Sequence, residues 1–259
     1  MNITHISVSR KGVWDECKKK YWYKYHEKVE SPEEEPFYFV YGKIVHKIAE
    51  EYVRERGKKT VIEVKNAVLG GEIPFESYQG ELEFAPPLPL AYKNRLGGHL
   101  TSIAKITEDL GWDGELEYSF KYDLDPPNER FVVGFIDRLI KKGDQYWILD
   151  YKTTKKGKYR KTKKNIQQDI QLRAYARVVQ KEFDVPADKI RAALYYLEGG
   201  NLLGARFTDR QLLATEKELL FAHEDIEGFP PEKAWGNIGE HCRRCDHRSL
   251  CPFYRKSGF

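Results

Sequence analysis

Apolar positions along this chain change their period several times, and each change marks an element. From Ser9, a candidate cap, Trp14, Cys17, Tyr21 and Tyr25 recur at three- and four-residue spacings and predict a helix to about His26. The segment from Pro32 to Pro36 breaks it. Tyr41, Val45, Ile48, Ala49 and Tyr52 then predict a second helix over Tyr38 to Arg54, and Leu96, Leu100, Ile103, Thr107 and Leu110 mark a third. Between these two, residues 58–89 carry Gly70-Gly71 and Pro86-Pro87-Leu88-Pro89 and read as less regular. The period drops to two for three predicted strands, Glu115 to Asp123, Phe131 to Lys141 and Gln145 to Lys152. A helix over about Asn165 to Lys181 follows. Next come strands at Ala192 to Leu197 and Leu203 to Phe207 across Gly199-Gly200, then a helix to about Asp225 with a Thr208/Gln211 capping box. This order predicts an α/β domain with one mixed sheet.

The second and third strands carry charges that an apolar sheet has to explain. With Gly143-Asp144 as a two-residue turn, Asp137 lies across from Asp150, and Lys152 shares a face with Asp150 because side chains alternate. Two buried carboxylates at that distance repel, and a divalent cation between them resolves the conflict. Three residues after Lys152 begins a run, positions 155–164, with seven basic residues and no acid. Its Lys155, Lys156, Lys158, Arg160 and Lys161 are candidate DNA contacts, although a lysine run alone reads as a solvated loop. Lys18 to Lys20 form a second basic cluster and Glu33 to Glu35 an acidic one, so a net charge of only +4 over 259 residues hides a local field suited to a polyanion. No apolar run is long enough for a membrane span, and the N-terminus lacks a signal-peptide pattern, which predicts a reducing, cytoplasmic setting. All four cysteines fit metal ligation better than disulfides there. Cys242, Cys245 and Cys251 lie within ten residues, and Cys17 stands far upstream.

Asp137 with Asp150-Tyr151-Lys152 resembles the signature of the PD-(D/E)XK nuclease superfamily, and the order of helices and strands is similar to its restriction-endonuclease-like core, a mixed central sheet flanked by helices. Gly42-Lys-Ile-Val-His46 and Gln171-Leu-Arg-Ala-Tyr175, each an i, i+4 pair on one helix face, resemble motifs of its RecB-like branch. The cysteines resemble the [4Fe-4S] staple of AddB-type nucleases and CRISPR-associated exonucleases. The resemblance implies a single nuclease domain over 1–259, with cluster-binding segments at 1–28 and 236–259 and a helical insertion at 58–110. It implies a Mn²⁺ or Mg²⁺ site of His46, Asp137, Asp150 and the Tyr151 carbonyl. In that site Lys152 orients or deprotonates water, and Gln171 and Tyr175 touch the DNA backbone or support Lys152. Glu117 reaches the same site or stays on the solvent side. The implied activity is exonucleolytic cleavage of DNA, with single-stranded ends as substrate.

Three questions stay open on the residues. Four thiolates, or thiolates with His241 or His247, also suit zinc, although zinc modules usually pair their ligands as two close couples. Trp22 with Lys18, Lys19 and Lys24 either stacks on single-stranded DNA or packs, while Tyr21 and Tyr25 are expected beside the cysteines. A chain of this fold also serves as a catalytically silent DNA-binding or assembly subunit in a larger DNA-processing complex; the intact Asp137, Asp150 and Lys152 argue against that here.

Overall fold

The computed structural model of the protein describes residues 3–33, 35–76, 81–157 and 159–257. They form two compact units, one from Met1–Glu35, Ser119–Gly134 and Arg210–Phe259, the other from Pro36–Tyr118 and Phe135–Asp209.

In chain order the elements begin with β1 (His5–Ile6), α1 (Val8–Glu16) and α2 (Lys18–Tyr21), which runs on into a π-helical turn, Trp22–His26. The cap of α1 is Ser7, whose hydroxyl accepts from Arg10 N at 3.1 Å, rather than Ser9. The single helix expected to His26 is broken at Cys17, whose backbone is extended (φ −162°, ψ 115°). Next come α3 (Phe37–Arg54), α4 (Val61–Leu69), the short pair β2 (Phe75–Glu76) and β3 (Leu82–Glu83), and α5 (Leu90–Leu110). Helix α4 lies in the segment expected to be a helical insertion, within the part read as less regular, and starts from a full capping box: Glu63 N donates to Thr60 Oγ1, and the Glu63 carboxylate accepts from Thr60 N. Then follow β4 (Glu115–Asp125), β5 (Arg130–Lys142), β6 (Gln145–Lys152), α6 (Ile170–Glu182), β7 (Ile190–Tyr196), β8 (Asn201–Ala205), α7 (Asp209–Gly228) and α8 (Pro252–Ser257).

Within the second unit, β5 pairs antiparallel with β6, β6 parallel with β7, and β7 antiparallel with β8, so the sheet is mixed. One side of it is covered by α3, α4 and α5. Ile44, Val45, Ile48, Leu96, Leu100 and Ile103 form one buried cluster with Leu149, Tyr151, Ala193 and Tyr195 of the strands. Each fully buried side chain of this kind contributes about 1.5–3 kcal/mol. Segment 58–110 thus supplies part of the core. The alternate residues Asp150 and Lys152 face the other side, toward α6.

In the first unit β1 pairs parallel with the start of β5. Gly134 there has no room for a side chain, since a Cβ would meet the Phe120 ring at 2.6 Å. Trp14 donates through Nε1 to Asp225 Oδ2 at 2.7 Å, Tyr21 packs edge-on against its ring, and Tyr25 packs on Tyr21. No described helix is long and apolar enough to cross a membrane.

Candidate active site

The β5–β6 hairpin turns at Gly143, whose φ of +60° is the conformation that a glycine-first two-residue turn requires. Its ladder runs from Lys142↔Gln145 back to Arg138↔Leu149, and the next step in that register brings Asp137 opposite Asp150. The paired ladder ends there because the amide of Tyr151 donates to Asp137 Oδ2 at 2.6 Å. His46 comes from α3, with its Nδ1 3.4 Å from the same carboxylate oxygen. Gly42, one turn earlier, is not a steric necessity, since a Cβ would meet only Thr153 Oγ1 at 3.9 Å.

Glu117 completes the group. It sits in β4 with a left-handed backbone (φ 48°), uncommon for a non-glycine residue, and one ligand atom each of His46, Glu117 and Asp137 lie within 4.8 Å of one another. Such a backbone costs of order 1 kcal/mol and is found where a side chain has to be aimed. Asp150 does not join that close trio. Its buried Oδ2 lies 2.7 Å from Lys152 Nζ, an ion pair without hydrogen-bond geometry. Lys152 Nζ instead donates to Gln171 Oε1 at 3.0 Å, and Gln171 Nε2 donates to the Tyr175 hydroxyl at 2.8 Å. Of the two tasks expected of Gln171 and Tyr175, the geometry displays support of the lysine.

Two pairs of opposite charge and one further acid share the site. Burial disfavours an imidazolium, yet Asp137 outweighs it and raises His46 to about 9. Burial would raise Asp137, but His46, Lys152 and the Tyr151 amide hold it below the usual aspartate value. Asp150 is pushed up to about 6 by burial and by Asp137, against the pull of Lys152. Glu117 is pushed up to about 7 by burial and then by Asp137. Lys152 loses hydration, but Asp150 and Asp137 more than compensate and raise it. One imidazole and several carboxylates, one with a buried oxygen lacking a hydrogen bond, are a donor set that fits a divalent cation such as Mn²⁺ or Mg²⁺.

The family model described as PD-(D/E)XK nuclease superfamily matches residues 5–252. The chain belongs to the PD-(D/E)XK nuclease superfamily. No curated protein matches it. Among solved structures it is similar to SSO0001, with 11% identity, a TM-score of 0.42 and coverage of 98% of this chain and 88% of that one. It is also similar to the protein called "Putative exonuclease" from Eubacterium rectale, with 14% identity, a TM-score of 0.48 and coverage of 94% and 88%.

Beyond the acidic site, this nuclease divides its expected DNA contacts. Lys155 and Lys156 are exposed, and Lys158 lies outside the described residues. Lys161 is exposed, with its Nζ 3.6 Å from Asp169 Oδ2. Arg160 turns inward, where Nε and a terminal nitrogen donate to Thr154 O.

The four cysteines, all without disulfides, line one cavity in the first unit. Tyr23 lines it too, stacked on His247, whereas Tyr21 and Tyr25 pack by Trp14. Cys17 Sγ accepts from Asn237 N at 3.4 Å, and burial pushes the Cys245 thiol up to about 11. Trp22 carries Lys19 Nζ 3.5 Å from its ring centroid. The thiol cavity is the second place where donors fit an absent group.

Proposed function

We propose that this nuclease is a metal-dependent DNA exonuclease of the RecB-like type that digests single-stranded ends and carries a structural [4Fe-4S] cluster. The observation that carries the catalytic part is the convergence of His46, Glu117 and Asp137 beside the Asp150–Lys152 pair. His46, Asp137 and Asp150 would hold the cation with the Tyr151 carbonyl, and Glu117 would be a further ligand. A divalent cation so held would supply Lewis acidity for phosphodiester hydrolysis. Lys152, 2.7 Å from Asp150 Oδ2, would orient or help deprotonate the attacking water and offset the charge that grows on the phosphate. Gln171 and Tyr175 fix its ammonium group.

Exonuclease action rests on the resemblance of Gly42–His46, Gln171–Tyr175 and the cysteines to that branch. Exposed aromatic rings support an unpaired substrate. Phe135 is on the same side of β5 as Asp137 and 59% exposed, and Tyr159 is 62% exposed within the basic run. Such rings stack on bases only where the bases are free. Lys155, Lys156, Lys158 and Lys161 attract the backbone.

For the thiols, one distant cysteine and a close trio, unlike the two close couples usual in zinc modules, favour a cluster over zinc.

End-labelled single-stranded DNA incubated with Mn²⁺, with each end labelled in turn, tests the activity and reports its polarity. Asp150→Ala must abolish degradation. Equal inertness of wild type and variant across metals and DNA forms makes the chain a silent DNA-binding subunit. Protein purified without oxygen should be brown, and a colourless protein with one zinc per chain defeats the cluster.

A further inference from the structure

The two residues after Lys152 leave the sheet, yet three consecutive carbonyls are held at this point by three different groups. Lys152 O accepts from Leu197 N at 3.0 Å. Thr153 O accepts from a terminal nitrogen of Arg95 on α5 at 2.7 Å. Thr154 O accepts from Nε and a terminal nitrogen of Arg160, at 3.0 and 2.8 Å. Glu198 ties the two arginines together: its carboxylate accepts from Arg95 at 3.1 Å and its carbonyl from Arg160 at 2.8 Å. Each guanidinium also lies over an aromatic ring, Arg95 on Tyr41 and Arg160 on Tyr196, with 5.6 and 4.5 Å to the ring centroids. The same helix α5 anchors the other partner, since Ser102 Oγ donates to Leu197 O at 2.6 Å.

A basic loop of this composition, freed from the sheet, would otherwise repel itself and swing. Carbonyls taken out of water have to be paired, and once the backbone bond to Lys152 O has ended the ladder, side chains do the pairing at Thr153 and Thr154. We infer that Arg95 and Arg160 are positioning residues for Lys152, bracing the backbone that carries it and the start of the basic loop, with Glu198 as their common anchor. The inference rests on the nuclease reading for its effect on turnover, and on the geometry alone for its effect on the loop. It gives α5 a task at the site, and it assigns Arg160 to the brace and not to a phosphate.

The test has two independent readouts on the full chain, turnover and amide hydrogen exchange. In Arg95→Ala and Arg160→Ala, kcat on single-stranded DNA should fall roughly 10- to 100-fold, with KM within about twofold, because the lysine is misplaced rather than the substrate released. Amides of residues 153–157 should exchange faster while those of β7 stay protected. Arg95 makes its bonds through one nitrogen, so Arg95→Lys should recover much of the loss. Arg160 uses two nitrogens, so Arg160→Lys should recover little. Glu198→Gln, which keeps an acceptor and the backbone carbonyl, covers the case of an unfolded alanine variant and should show a smaller loss of the same kind. A raised KM with unchanged kcat makes the arginines DNA contacts and overturns the inference. So does unchanged exchange over 153–157, or a kcat lost only in proportion to the unfolded fraction. Wild type without nuclease activity defeats the functional reading alone, and the exchange result then decides the brace by itself.

Discussion

The acidic site, whose donors suit a divalent cation, and the thiol cavity, for which we propose a cluster, are built on opposite plans. The acidic site draws on regular elements, α3, β4, β5, β6 and α6, and its charges compensate one another: His46 against Asp137, Lys152 against Asp150. Two cationic side chains face three carboxylates there, with Glu117 the acid left over, which is the imbalance a bound divalent cation would correct. The thiol cavity draws on a helix break at Cys17 and short turns around Cys242 to Cys251, and its sulfurs have only weak hydrogen bonds, such as Cys242 Sγ to Asn237 O at 3.7 Å. Its form depends on what binds there and on pegs around it. One region spends its polar groups on chemistry, the other on holding two distant stretches of chain.

The largest way to separate them is to remove one ligand from each. Asp137→Ala or Asp150→Ala should lower DNA degradation by on the order of 10³-fold or more, while visible absorption stays near that of wild type. Activity assays and spectra on the same preparations check this. Loss of colour in an Asp variant would break the independence of the two centres.

Cys251→Ser should do the reverse. Binding energy at a structural metal is folding energy, so the colour should vanish and the first unit loosen, by about 3 kcal/mol or roughly 10 °C in Tm. Scanning calorimetry reads the loss, and Mn²⁺ binding at the acidic site should keep its affinity.

How much of each region could be read from sequence follows from the same contrast. The hairpin turn at Gly143-Asp144 and the Asp137–Asp150 facing follow from the period-two rule, and the Gln171–Tyr175 pairing from i, i+4 spacing, which act over a few residues, whereas the link from Lys152 to Gln171 was implied only by the family resemblance. Whether Glu117 reaches the site or faces solvent could not be decided from sequence, because a left-handed residue inside a strand violates the alternation on which the reading depends. The inward turn of Arg160 depends on Glu198, distant in sequence, and no local pattern reports it. The start of helix α4 was legible and missed: Thr60-Val-Ile-Glu63 is a capping-box signature that the nearby Gly70-Gly71 and prolines outweighed. The break at Cys17 was hidden because Trp14, Tyr21 and Tyr25 do pack together, at the spacings of a helix that is not continuous.

Acidity sharpens the contrast further. In the metal-free protein His46 titrates near about 9 against 6.5 unperturbed, so its stabilising contribution is full below 6.5 and is lost as pH rises through 9. Glu117 and Asp150, raised to about 7 and about 6, act in the same direction and lose theirs as pH rises through those values. Asp137, lowered, acts the other way only in acid. The metal-free protein should therefore melt lower at pH 9 than at pH 6. A cation needs neutral imidazole and ionised carboxylates, so Mn²⁺ affinity should climb about tenfold per pH unit between 7 and 9 and then level off. Titration calorimetry in two buffers of different ionisation enthalpy should register about one proton released. A flat affinity would remove His46 from the ligand set.

The smallest effect tests the pegs around the thiol cavity. Trp14 is 1% exposed, and its indole donates to Asp225, whose side chain is 44% exposed. Trp14→Phe removes the donor and some volume, but water can reach the carboxylate that is left, so no buried charge is orphaned. Lys18 Nζ, 3.7 Å from the indole centroid and 4.0 Å from Asp225, can shift toward the acid and recover part of the loss. The net cost should be about 1–2 kcal/mol, a few degrees in Tm, with kcat unchanged. Because Tyr21 and Phe229 pack edge-on against the indole, a larger fall would mean that this aromatic stack, and not the cysteines, holds the N-terminal helices to the C-terminal segment. In that case Cys251→Ser should cost less than Trp14→Phe, and the plan drawn for the first unit would be inverted.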